Sequence, residues 1–160
     1  MSEAAVIQVV TFGLGSETFA VPVTMVREIL DYREAFHIPN GPAWLLGLTD
    51  VRGQGVPTID FRSRLGLPRM EATSATRVLV VDVPVEGREL TLGLVVDRVL
   101  DVSAFEAGQI EAAPDIGMNW NSDYIHGVVR RAEGFVVIVD VARIFSAADA
   151  ALLPGISNAA

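Results

Sequence analysis

The chain has 160 residues, 51% of them hydrophobic, and its twelve basic and twenty acidic residues give a net charge of −8. That length and apolar share support one sizeable core, as a single domain or two small halves, and exclude disorder of the bulk. With no stripe of basic residues a nucleic-acid partner is excluded, and with no cysteine so are disulfides, cysteine-ligated zinc and a cysteine nucleophile.

The N-terminal MSEAAVIQVV is acidic where a signal peptide would be basic, and its apolar run is too short for one. Asp82, Glu86, Asp97 and Asp140 interrupt the richest apolar regions, so nothing approaches the roughly 20 apolar residues that cross a bilayer. A cytoplasmic protein without direct membrane insertion is expected.

Short valine- and isoleucine-rich runs, punctuated by Gly, Pro and Asp, predict an all-β fold. At least eight strands are expected: Val6–Phe12, Thr18–Val23, Trp44–Val51, Gly55–Ile59, Arg77–Val83, Leu90–Val96, Tyr124–Arg130 and Phe135–Val139. Gly13-Leu14-Gly15-Ser16 and Pro84-Val85-Glu86-Gly87-Arg88 read as hairpin loops, and Gly53-Gln54-Gly55 as a hairpin corner. Helical turns are predicted where Thr24 precedes MVREIL, Asp60 precedes FRSRL and Asp140 precedes VARIF, each led by a good N-cap. A last helix follows the S-x-x-D start at Ser146 and stops at Pro154-Gly155, before a frayed tail.

The sequence repeats itself. An offset of 80 sets Gly47 on Gly127, Leu48 on Val128, Val56 on Val136, Ile59 on Val139, Asp60 on Asp140 and Leu65 on Phe145. Upstream, an offset of 73 sets Val21 on Leu94, Val23 on Val96, Thr24 on Asp97, Val26 on Val99, Glu28 on Asp101 and Ile29 on Val102. Two five-stranded barrels of about 65 to 70 residues follow, because closure removes the exposed edges of a short valine-rich sheet. The polar segment Pro68–Thr76 reads as their linker.

Signals for chemistry are thin. His37 and His126 have no H-x-x-x-H partner or cysteine to complete a metal site, and packing or surface roles suit them. Asp60, Asp97 and Asp140 fit capping positions, while Glu71, Glu86, Glu89 and Glu106 fall in loops, which leaves little for a paired-carboxylate hydrolase. The glycines form no phosphate-cradling pattern, and no cofactor is implied.

The stretch IPNGPAWLLGLTDVRGQGVPTIDFRSRLGLP, from Ile38 to Pro68, resembles the signature of the CheW-like chemotaxis coupling proteins. There an I-P-N-x-P turn leads through an apolar strand ending in Gly to an Arg-Gly corner, V-P-x-x-D and a short basic helix. GLVVDRVLDV at 93–102 is equally characteristic, and the similarity runs from about Val6 to Phe145. The resemblance implies a single domain over 1–153 made of two SH3-like five-stranded barrels related by a pseudo-twofold axis, with a groove between them. Barrel 1 is placed at about 13–68 and barrel 2 at about 77–145, with strand 6–12 free to join barrel 2. A C-terminal helix at 146–153 and a flexible tail at 154–160 complete it.

The same resemblance implies a non-enzymatic adaptor between the regulatory domain of a CheA-type histidine kinase and the cytoplasmic tip of methyl-accepting chemoreceptors. Val26, Glu28, Gly47 and Arg52 fall where the family contacts partners or is sensitive in coupling. Arg52, an exposed loop arginine on its own merits, gains weight from its Arg-Gly53 corner, since a fork on a tight turn is aimed in one direction. Glu28 could neutralise it in the free protein. Val26, Ile29, Val99 and Val102 occupy matching positions, either in the core or at the barrel seam, where an amphipathic receptor helix could lie. Trp44 is expected in the first barrel's packing, and Trp120, in a polar loop, as a surface anchor. Thr49-Asp50-Val51 departs from the usual Asn-Leu by placing an acid beside Arg52. Two other readings are an adaptor for a different chemosensory-type kinase, governing pili or gene expression, and a small-molecule-binding barrel or enzyme with an enclosed polar pocket around His126 and Tyr124.

Overall fold

A computed structural model describes residues 5–39, 41–85, 87–112, 124–132 and 134–145. Its strands are β1 (Val6–Leu14), β2 (Glu17–Pro22), β3 (Val26–Asp31), β4 (Leu45–Val51), β5 (Gln54–Asp60), β6 (Arg77–Val85), β7 (Arg88–Val96), β8 (Arg98–Glu106), β9 (Ile110–Glu111), β10 (Ile125–Arg131) and β11 (Gly134–Val139). Two one-turn helices, α1 (Phe61–Arg64) and α2 (Val141–Ile144), follow β5 and β11. The strands form two curled sheets, in the orders β8-β1-β2-β11-β10-β9 and β3-β6-β7-β5-β4.

The expected division into barrels at 13–68 and 77–145 is not how the strands group. Each half of the chain lends its first two strands to the other half's sheet: β1 and β2 join β8–β11, while β6 and β7 join β3–β5. The exchange is reciprocal. The parallel pair Thr58↔Gly93 has its counterpart in Ile138↔Ala20, related by the two repeat offsets of 80 and 73. Bulges recur as well, at Arg27 in β3 and at Leu100 in β8, 73 residues apart. One sheet has six strands rather than five, because β9 adds a two-residue edge.

The exchange also explains where the core lies. The largest apolar cluster takes Phe12, Leu14 and Phe19 from one sheet and Leu79, Leu92 and Leu94 from the other, together with Phe61 of α1, Ile144 of α2 and the following Phe145. Each barrel keeps only a small private cluster, around Phe105 and Ile138 in one and around Val56 and Val80 in the other. The two barrels are therefore one continuous hydrophobic body, and the seam between them is largely filled.

Several local expectations change. The helix foreseen after Thr24 is a single 3-10 turn, Val23–Met25, followed by strand β3, because Val-Arg-Glu-Ile-Leu-Asp alternates between half-buried and exposed with the period of a strand. Asp140 caps α2 by accepting the Arg143 N–H at 3.3 Å, but the Asp60 side chain makes no cap bond to α1 and lies 3.4 Å from Arg69 instead. The 68–76 linker is pinned down: Pro68 accepts from Arg62 and Arg69 donates to the Ala43 carbonyl. The foreseen helix at 146–153, the tail and the Trp120 loop fall outside the described residues.

Candidate functional site

The β4–β5 hairpin turns on two residues, Arg52 and Gly53, between the paired Val51 and Gln54. Both have positive φ, 53° and 85°, as in the type I′ turns whose twist suits a hairpin. The corner thus lies one residue earlier than the Gly53-Gln54-Gly55 reading. Gly53 adopts this conformation freely, whereas Arg52, the one non-glycine at positive φ among the described residues, does so at a steric cost of about 1 kcal/mol. Asp50 supports the turn by accepting the Gly53 N–H at 2.9 Å, which gives the unusual acid a structural role.

The turn aims the Arg52 fork at β3, an edge strand of the same sheet. Its Nε and one terminal nitrogen donate to the two carboxylate oxygens of Glu28 at 3.1 and 3.2 Å, so the fork closes on the carboxylate with two parallel bonds. The bonds and charge of Glu28 raise the Arg52 pKa further above its ordinary value. Glu28 is 18% exposed and Arg52 80% exposed, so a carboxylate held in the wall presents a cation to solvent.

The other candidates separate into groups. Ile29 is exposed on β3, between Arg27 and Asp31, which pair with Asp82 and Arg77. Val26 and Val99 are half-buried against the shared core, while Val102 on β8 is 63% exposed in the other sheet. Gly47 is buried: a Cβ there would stand 2.0 Å from the Phe36 carbonyl oxygen, where an isolated bridge Phe36↔Leu48 lays the chain across β4. Gly127 plays the same part under β9, with Ile110 2.4 Å from its would-be Cβ.

Sequence reasoning missed Phe36, 75% exposed on that crossing segment, and, beside the foreseen Val102, most of the equivalent pole of the other barrel. There Leu100, Val102 and Phe135 are exposed, Asp101 accepts from Thr11 at 2.7 Å, and Arg131 reaches Ser103 at 3.4 Å. The repeat, which sets Glu28 on Asp101, carried the signal for this second pole. Hydrogen bonds from Thr11 and Ser103 hold Asp101 below the usual carboxylate range.

Two open cavities, of about 350 and 560 Å³, are lined by Arg62, Arg69 and Asp97 and by Asp101, Arg131 and Phe135, respectively. Neither includes His126 or Tyr124. Among the described residues no group of three metal-ligating side chains gathers, and no helix is long and apolar enough to cross a membrane.

This architecture has known relatives. The TtCheW scaffolding protein from Thermoanaerobacter tengcongensis superposes with a TM-score of 0.78 at 22% identity, over 91% of this chain and 96% of that one. Chemotaxis protein CheW of Treponema pallidum is 29% identical over 139 residues, 87% of this chain and 82% of the relative. Protein PilI of Pseudomonas aeruginosa is 29% identical over 127 residues, 79% of this chain and 68% of the relative. The CheW-like domain family matches residues 8–149, and the chain belongs to that family.

Proposed function

We propose that the chain is a non-enzymatic, cytoplasmic adaptor that couples the regulatory domain of a CheA-type histidine kinase to the cytoplasmic tip of methyl-accepting chemoreceptors. The observation that carries this reading is the Arg52–Glu28 pair. A backbone conformation unfavourable for arginine is kept at a solvent-facing turn, and its fork is held by a carboxylate of β3, the opposite edge strand of the same curled sheet. Strain of this kind persists where a side chain must be presented in one direction. An arginine so held can exchange one carboxylate oxygen of Glu28 for an acceptor on a partner without reorganising.

Around it, Ile29 supplies an exposed apolar contact and Gly53 the turn itself. Val26 and Val99, half-buried at the seam, and Val102 on the second barrel extend the proposed partner surface across both barrels. Two pseudo-equivalent poles suit an adaptor that must hold two partners at once. The test is co-purification from the native cell with a CheA-type kinase as the expected companion, alongside calorimetric affinity for a receptor-tip fragment. Absence of both overturns the reading.

The match to Protein PilI favours a second reading, an adaptor for a different chemosensory-type kinase. Identifying the kinase that co-purifies separates the two.

A further inference from the structure

The shared core holds the barrels together, and hydrogen bonds across the seam, being directional where apolar packing is not, constrain their relative rotation further. Such contacts gather at α1 and at Asp97. Arg62 of α1, attached to the β3–β7 sheet, donates to both oxygens of Asp97 at 2.8 and 2.7 Å. Asp97 sits where the chain crosses from β7 to β8 and hence from one barrel to the other. The same carboxylate accepts the Gly15 N–H at 2.6 Å, from the β1–β2 turn of the opposite barrel, and the Asp97 N–H donates to the Gly13 carbonyl at 3.1 Å.

The guanidinium is then held from its far side, donating to the Pro68 carbonyl at 2.8 Å and to the Met70 sulfur at 3.4 Å. Both members of the pair are nearly buried, with 12% and 9% of their side chains exposed. On its other side α1 sends Arg64 to the Ile144 carbonyl at the end of α2, in the opposite barrel. Arg64 also lies over Trp44, Tyr124 and Phe145, at 5.3 to 5.7 Å from the ring centres.

Nothing in the repeat demands this. The residues equivalent to Arg62 and Arg64 in α2 are Ala142 and Ile144, and the residue equivalent to Asp97, at the crossing from β2 to β3, is the exposed Thr24. Among the described residues the clip exists on one side of the pseudo-twofold axis only. We propose that α1 is an orientation clip between the barrels, with Arg62 and Arg64 as positioning residues that fix the angle at which the two poles are presented, and with Asp97 as the hinge-point anchor. This is independent of which partners bind those poles.

The absence of cysteine allows a direct test on the full chain. Spin labels are placed at Glu89→Cys on β7 and Ala104→Cys on β8, exposed positions in opposite sheets, and the label-to-label distance distribution is measured. The parent should give one narrow distribution. Arg62→Met, which keeps the side-chain bulk, should broaden and shift it while far-UV circular dichroism stays that of the parent. Arg62→Lys, a point charge unable to bridge both oxygens and the Pro68 carbonyl, should restore it only in part. Asp97→Asn, which keeps an acceptor for Gly15, is the second variant and should broaden the distribution even if Arg62→Met fails to fold. A parent-like distribution in either folded variant overturns the proposal, since a residue that merely adds stability would lower the melting temperature without altering the angle.

Discussion

Arg52 and Glu28 meet through two hydrogen bonds of 3.1 and 3.2 Å that span from the β4–β5 turn to the edge strand β3. The pair joins strands at the two ends of one curled sheet, since β3 and β4 are its outermost members. It could therefore be read as a closure device, but its arginine is 80% exposed, and exposed ion pairs contribute little to stability. Presentation of the guanidinium is the better account of why the strained turn is kept.

That account separates binding from folding. Arg52→Ala should leave the cooperative melt close to that of the parent while weakening receptor-tip or kinase binding by about thirtyfold or more, the scale of losing a charged interface contact. Arg52→Asn sharpens the test, because Asn-Gly is the favoured pair at a type I′ corner. It should melt at or above the parent's temperature and still bind poorly. Calorimetric binding beside thermal melting checks both, and undiminished binding by the folded variants would make Arg52 an ordinary surface arginine.

Gly47 and Gly127 should differ in what a methyl group costs. At Gly47 an added Cβ meets the Phe36 carbonyl oxygen at 2.0 Å with φ at +146°, a backbone clash and a backbone strain together. At Gly127 it meets the Ile110 side chain at 2.4 Å and the Glu111 carbonyl oxygen at 2.9 Å, without positive φ. Gly47→Ala is expected to cost about 3 kcal/mol and Gly127→Ala about 1 to 2 kcal/mol in urea unfolding. Equal losses would show that the Phe36 segment lifts away from β4 without penalty.

The repeat was legible because its strongest marks are positions of backbone necessity: glycines beneath a crossing segment and aspartates at helix starts. What the repeat could not convey was strand exchange, since pairings such as Val10↔Val102 and Leu79↔Ile29 join residues far apart in sequence. Strand β8 escaped notice because Leu100, Asp101 and Val102 are exposed in succession around a bulge, which breaks the period-two pattern. Thr24 misled for a different reason. A good capping residue before Met25-Val26-Arg27-Glu28 suggests a helix, yet pairing with β6 outweighs local propensity. At the site, the Arg-Gly corner pointed to Arg52, and Glu28 was legible as its partner although the strand carrying it was not. The role of Asp97 was hidden, because its partner Arg62 is separated from it by two strands and a linker.

Phosphoryl transfer to this chain is not expected. Its two histidines lie at exposed positions, His37 on the segment crossing β4 and His126 on strand β10, and neither is on a helix that could enter a phosphotransfer site. Incubation with radiolabelled, phosphorylated kinase should leave the label on the kinase or release it as inorganic phosphate. A stable labelled band at 17.1 kDa would contradict the adaptor assignment.

Acid should loosen the molecule at Asp97. Burial by itself would raise this carboxyl, but the Arg62 hydrogen bonds, the Gly15 N–H and the charges of Arg62 and Arg98 outweigh it and hold it below its ordinary value of 3.8. A folded-state value depressed below the unfolded one means that folding favours the ionised form. The stabilisation is complete above the unfolded value and is lost as pH falls through the lower, folded one. Asp97→Asn forfeits it at every pH and leaves Arg62 without its counter-charge, a loss of about 3 kcal/mol near neutrality. Melting temperatures of parent and variant, followed from about pH 7 to about pH 2.5, should therefore converge at the acid end. Asp101, also held below the usual range, leaves a residual acid slope in both proteins. A gap that stays constant across the whole titration would show that Asp97 acts by shape alone and that its charge contributes nothing to the barrel-to-barrel clip.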